Sequence, residues 1–409
     1  MINKILNTKY INLSAQFFLI LSYIFVFYFS FKTVLHEHSY SQIFISYSEG
    51  FIKNALLGSL VFKLRELLNL DYKIIVNLFF LVFHILNIFL FLKIIKPIIN
   101  FNKIVYIFLV LNPALILFPI YDIGAFLRKE TFMITSFLLH IYFSQLYNTG
   151  VIDRKKYTHF FFYLLGPFVI INSLIHSIQI LFIPLHFFIF KNNIKYFFDK
   201  KYLVSFVVLL ILFLSQFIFY QQIPSDVLYE TTLEKLGDFN NQFNYSNTPL
   251  VFLNMGIVDR FYATVPYIRD INFISLYIIS VLIIFLPLIF ILKKIDTSDY
   301  KFKFTYTFLS ILPFILLLFL ASDWGRWIYI MAMILLGIKL QFRIRDIREF
   351  NHGSLFNFAI FVFMGFYLFF YNLSHCCIKN LFFYGMNQNI QLLVNLMLDN
   401  LEIIEHIKY

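Results

Sequence analysis

Charge is scarce in this chain. Only 13% of its 409 residues are Asp, Glu, Lys or Arg, while 60% are hydrophobic. That balance excludes an ordinary soluble domain, which needs polar surface around its core. Cysteine is scarcer still: Cys376 and Cys377 are the only two, and they are neighbours. Adjacent cysteines bridge only with strain, and two thiols alone make no zinc site, so both read as incidental. The sequence also lacks a P-loop, a GxGxxG placed after a strand, an HExxH and any His/Cys/Asp cluster at metal spacing. No cofactor and no metal are therefore expected. Two further absences bear on transport. The apolar runs carry few charges, unlike the intramembrane acids and bases of proton-driven pumps, and no inverted repeat is visible.

What is present is a series of long apolar runs. A spanning helix needs about 20 mostly apolar residues. Lipid offers the backbone no partners, so a span is a helix or part of a closed barrel, and runs that do not alternate exclude the barrel. The expected fold is all-α: a polytopic integral membrane protein, one helical domain over 1–409. About eleven spans are expected, near 14–31, 74–92, 104–120, 131–147, 158–173, 174–190, 203–220, 271–292, 304–320, 328–342 and 355–373. Pro167, Pro184 and the polar "INSLIHS" favour two spans over 158–190. The first run lacks a small-residue cleavage site and reads as a span, not a signal. The stretch within 374–409 is too polar to assign.

Basic residues orient the chain. With the N-terminus cytoplasmic, the inside segments hold Lys4 and Lys9; Lys93, Lys96 and Lys103; Arg154, Lys155 and Lys156; Lys191, Lys195, Lys200 and Lys201; Lys293, Lys294, Lys301 and Lys303; and Lys339, Arg343, Arg345 and Arg348. These are twenty of the 33 Lys and Arg, concentrated in short loops, as the positive-inside rule requires. The net charge of +11 is explained by this bias and does not call for nucleic acid.

Two longer segments then face outside. Residues 32–73 contain apolar positions 56, 57, 60, 61, 64, 67 and 68 against Lys63 and Glu66, the pattern of an interfacial amphipathic helix. Residues 221–270 form a large polar loop rich in Tyr and Phe. The outside turns repeat one theme, an acid, a glycine and a base within a few residues. "SDWGRW" carries Asp323 and Arg326, and "YDIGAFLRKE" carries Asp122, Gly124, Arg128, Lys129 and Glu130. "SEGFIKN" has Glu49, Gly50 and Lys53, and "MGIVDRF" has Gly256, Asp259 and Arg260. Glycine admits close approach of a ligand, arginine grips phosphate oxygens with a planar fork, and an acid orients the arginine or accepts a proton. The plainer reading is that short turns use these residues to reverse the chain and meet headgroups, with Trp324 and Trp327 in an aromatic belt. Against it, basic residues are disfavoured in short translocated loops. His176, near an outer turn, offers a candidate base, but a buried histidine more often satisfies a neighbour, so it reads as structural.

In architecture, and in the outer segments "GFIKNALLG", "YDIGAFLRKE" and "SDWGRW", the chain resembles bacterial O-antigen polymerases. That resemblance implies an inner-membrane enzyme with a periplasmic active face. It would transfer glycan from undecaprenyl pyrophosphate to a new lipid-linked repeat unit. Its partners would be undecaprenyl-pyrophosphate-linked oligosaccharides, membrane lipid and a chain-length regulator. In that chemistry Arg128, Lys129 and Arg326 bind pyrophosphate, with Lys53 or Arg260 as further cations. Asp122 or Asp323 deprotonates the acceptor hydroxyl or orients an arginine, and 221–270 holds glycan as a lid. Fixed cations would stabilise the leaving pyrophosphate without a metal. Two alternatives stay open. One is another lipid-linked-glycan transferase or ligase, for which Glu37 and Glu49 are the relevant acids; the other is a lipid-linked oligosaccharide flippase.

Overall fold

The structure, a computed structural model, describes residues 9–32, 37–194, 200–242, 248–297, 304–321, 323–342, 344–347 and 362. It is an all-α architecture. In chain order the helices are α1 (Lys9–Lys32), α2 (Glu37–Ile43), α3 (Leu56–Leu68), α4 (Tyr72–Ile95), α5 (Lys103–Leu111), α6 (Glu130–Asn148), α7 (Arg154–Ile175, with a π turn over Phe160–Leu165), α8 (Ile183–Asn193), α9 (Lys200–Ile218), α10 (Ser225–Leu236), α11 (Thr248–Asn254), α12 (Ile257–Arg269), α13 (Ile271–Lys294), α14 (Phe304–Leu320) and α15 (Trp324–Leu340). Two short strands, β1 (Ile295–Thr297) and β2 (Ile344–Ile347), pair antiparallel with Ile295 opposite Ile347.

Polar caps set where helices begin. Asp71 accepts from the Lys73 N–H at the head of α4, and Asp153 from the Lys156 N–H at α7, each at 2.7 Å. Asp270 accepts from the Asn272 and Phe273 N–H groups at α13. Such caps satisfy backbone donors that no helix turn can reach.

Among the described residues, four helices are long and apolar enough to cross a membrane: Asn12–Lys32, Tyr72–Asn100, Arg154–Ile175 and Ile271–Lys293. They expose large apolar side chains, such as Phe17 at 65% and Leu286 at 62%. Outward apolar surface on this scale suits lipid and not water. The protein is membrane-embedded. Ser177–Lys191 and Ile311–Leu320 are shorter apolar helices. The expected span 355–373, the segment 374–409 and both cysteines lie outside the described residues, apart from Val362.

One expected span is corrected. The run 104–120 is not one helix: α5 ends at Leu111, about 13 Å long. Asn112 is extended (ψ 116°), its side chain accepts from the Ala114 N–H at 2.8 Å, and Pro113 has no N–H to continue the ladder. Hydropathy could not show this break, because the residues beyond it stay apolar and buried.

The C-terminal ends of α4, α6, α8 and α15 gather together. Gln145 donates to the Ile94 and Leu340 carbonyls, and Asn148 to the Asn193 side chain and the Gln341 carbonyl. Lys93, Lys191 and Lys339 sit in the last turns of their helices at this basic end. Within 221–270 the described residues include α10, α11 and α12, and the segment is anchored on the bundle. Phe239 packs on Tyr40, Phe44 and Tyr72, and Lys235 donates to Ser48 at 2.7 Å.

The expected amphipathic helix is α3, which buries Leu57, Gly58, Val61 and Phe62 and leaves the Lys63–Glu66 pair exposed. Gly58 lies directly against the backbone carbonyls of Ile43 and Ile45, where a Cβ would collide. Gly58→Ala is therefore expected to lower stability by ~1–3 kcal/mol. Thermal unfolding of the purified protein in detergent checks it, and an unchanged midpoint would contradict the packing described.

Candidate functional site

Non-helical backbone inside a membrane protein needs its polar groups satisfied internally. The broken stretch 112–129, turns interrupted by two four-residue helices (Phe118–Tyr121 and Ile123–Phe126), meets this demand, together with the first turn of α6, through side chains from α1, α2 and α4. Tyr23 donates to the Ile116 carbonyl at 2.6 Å and Ser39 to that of Gly124 at 2.9 Å. His84 Nε2 donates to the Phe126 carbonyl at 2.9 Å, and Asn87 to that of Thr131 at 3.2 Å. These polar residues, dispersed through apolar helices, hold the stretch that leads into α6.

At the head of α6 lies a buried charge cluster. Arg326, in the first turn of α15, pairs with Glu130 through Nη1 and with Asp323 through Nη2. His176, where α7 ends, places Nε2 3.4 Å from the Glu130 carboxylate. Arg128 anchors Nε on the Gly124 carbonyl at 2.9 Å, while its Nη1 has no hydrogen-bond partner among the described residues. Burial, and then repulsion from Arg326, push the Arg128 pKa down to about 10, so it stays charged at neutral pH. Asp122 and Asp323 act in the opposite direction on Arg128. Arg128, Arg326, Glu130 and Asp122 are buried, while His176 and Asp323 are partly exposed, at 14% and 23%. The expected surface turns are thus an internal cluster.

The remaining cations point elsewhere. Lys129 donates from Nζ to the Asn54 carbonyl at 2.6 Å, and the Asn54 side chain accepts from the Ser177 N–H at 2.6 Å. Lys53, one residue away, lies over the Tyr220 ring, 4.3 Å from its centroid. Burial, and then Arg260, lower the Lys53 pKa. The structure therefore brings Asp122, Arg128, Asp323 and Arg326 together, directs Lys129 to the loop carrying Asn54, and sets Lys53 and Arg260 in a separate pair. Asp259 accepts from the Gly256 N–H at 3.1 Å and so caps α12.

Sequence reasoning left Glu130 and His176 off the site. Glu130 was visible only as the last letter of "RKE" before an apolar run. His176, near an outer turn, reads locally as structural, because the partner that draws it to the site, Glu130, comes from another helix.

A cavity of ≈ 20 Å³ adjoins the cluster, lined among others by Asn87, Arg128, Glu130 and Arg326. It has room for about one water molecule. Nη1 of Arg128, Oε2 of Glu130, Nε of Arg326 and Oδ1 of Asn87 are all buried without a hydrogen-bond partner among the described residues. Two donors and two acceptors are what one bridging water satisfies. Among the described residues, no group of three or more His, Cys, Asp or Glu side chains is placed to hold a metal ion.

The fold and site define a membrane-embedded helical protein with a buried acid–base cluster. No family model, curated protein or solved structure matches the chain.

Burial pushes the Lys129 pKa down to about 7, against about 10.4 for a solvated lysine. Between those values the unfolded chain binds the extra proton, so stability rises with pH across that window. The thermal midpoint is expected to climb from pH 7 to pH 9 in the native protein and to climb less in Lys129→Met. Equal slopes would show that Lys129 is not buried.

Proposed function

We propose that the chain is a lipid-linked-glycan transferase of the O-antigen polymerase kind. It would act at the bilayer face carrying the Glu130–Arg326 cluster, with the basic end cytoplasmic. The observation that carries this reading is Arg128: a buried guanidinium, its Nη1 without a hydrogen-bond partner among the described residues, beside a second arginine fixed by two carboxylates. Transfer from a polyprenyl pyrophosphate builds negative charge on the leaving group, and preorganised cations in a water-poor site stabilise that charge best. In this scheme Arg128 grips the pyrophosphate. Asp323 and Glu130 hold Arg326 in a fixed plane toward it. His176, backed by Glu130, takes the proton of the acceptor hydroxyl. Lys53, exposed, and Arg260, partly buried, receive the second phosphate or the membrane headgroups.

The cavity at the cluster admits about one water, so this reading requires the cluster to open around substrate. A second reading, a lipid-linked oligosaccharide flippase, draws support from the same burial, since flippases keep charges inside a central cavity.

Deletion of the gene in its own host separates the two, read as surface polysaccharide on a gel. A ladder that collapses to core plus one repeat unit is the polymerase outcome. Loss of every repeat unit, with lipid-linked units accumulating inside, is the flippase outcome and overturns the proposal. Complementation with Arg326→Lys is expected to give about 100-fold less polymer at unchanged protein level, because a point charge cannot span both carboxylates. Full activity in that variant would remove Arg326 from the site.

A further inference from the structure

A second buried polar system lies toward the basic end, far along α6 from Glu130. Two apolar hollows share Ile170 and run between α7 and α9. One, of ≈ 520 Å³, reaches Phe51 and Gln221; the other, of ≈ 130 Å³, ends at His186 on α8. Among the described residues, no charged side chain lines either hollow.

His186 is 3% exposed, and its Nε2 is buried without a hydrogen-bond partner among the described residues. The hydrogen bonds behind it fix where its proton sits. Asn148 Nδ2 donates to the Gln341 carbonyl (2.9 Å), which orients its amide, and also to Asn193 Oδ1 (3.0 Å). Asn193 Nδ2 therefore faces the Tyr157 hydroxyl and donates to it at 3.0 Å. Ser144, the other neighbour of the Tyr157 hydroxyl, accepts from Asn193 and Asn148 and donates to Gln341 Oε1 at 3.2 Å, so the Tyr157 proton goes to His140 Nε2, 2.9 Å away. A neutral His140 carries its proton on Nδ1 and donates to His186 Nδ1 at 3.0 Å. The proton of His186 is left on Nε2, at the wall of an apolar hollow.

We propose that this crevice binds a neutral lipid with a single uncharged oxygen acceptor, a carbonyl or hydroxyl, held by the His186 Nε2–H with the chain lying between α7 and α9. An anionic head is disfavoured, because the crevice supplies no cation to offset its desolvation. Ester carbonyls of ordinary bilayer lipids lie too shallow. His140 is eight residues from Asn148, about 12 Å into the bundle from the basic end and within the hydrocarbon core. The smaller hollow approaches the size of an apolar cavity that takes up benzene, enough for a small head and its first methylenes.

Equilibrium binding of tritiated 2-heptadecanone to the full-length protein in nanodiscs tests this, with heptadecane and palmitate as competitors. Saturable binding is expected, with heptadecane and palmitate about fivefold to tenfold weaker or worse competitors. His186→Leu is expected to erase that preference and His186→Gln, which keeps an N–H, to retain part of it. Leu210→Trp, which fills the hollow from the lipid-facing side of α9, leaves the histidine pair intact and is expected to abolish binding. Heptadecane competing as well as the unlabelled ketone, or Leu210→Trp binding normally, would overturn the proposal in favour of ordinary lipid filling. Absence of saturable binding would overturn it outright.

Discussion

The arrangement turns on the Arg326 guanidinium bridging Glu130 and Asp323 inside the bundle. Charges buried in a helical membrane protein are tolerated only when paired and hydrogen-bonded, and breaking such a pair costs about 3–5 kcal/mol. The bridge therefore fixes more than itself. It joins the first turns of α6 and α15, which then run parallel until Gln145 meets the Leu340 carbonyl. His176 adds the end of α7 to the same point. Three helices from distant parts of the chain are referenced to one carboxylate.

The two ends of the bundle solve the same problem with different chemistry. At the head of α6 the buried polar groups are charged, close to balance and crowded, with Arg128 kept beside Arg326 by the acids around both. At the basic end the buried groups are neutral amides, hydroxyls and imidazoles joined in one directed chain from Gln341 to His186. Charged groups can pull strongly on an anion, whereas a neutral chain presents a single donor and selects by shape and polarity. A protein with both kinds of site along one helix has the means to handle the head and the body of an amphiphile separately.

Much of the helix plan was legible in the sequence. Apolar runs bounded by Asp71, Asp153 and Asp270 became helices, and the lysines expected on one side gather where α4, α8 and α15 end. The polar turns also marked the right neighbourhood, since Asp122, Arg128, Asp323 and Arg326 converge. The break at Asn112–Pro113 was hidden because a fully buried irregular segment is as apolar as a span. The roles of Glu130, His176 and Lys129 were hidden because each is decided by a partner about 45 to almost 200 residues away. Spacing within one helix cannot report such a contact. His140 and His186, 46 residues apart, were invisible for the same reason.

The most direct measurement is a double-mutant cycle on Glu130→Gln and Arg326→Gln, read as thermal or denaturant stability of the purified protein. A bridge on which three helices depend predicts coupling well above 1 kcal/mol, so that the double variant is much less destabilised than the two single variants added together. Additive effects would mean that Glu130 and Arg326 do not meet, and the cluster at the head of α6 would lose its foundation.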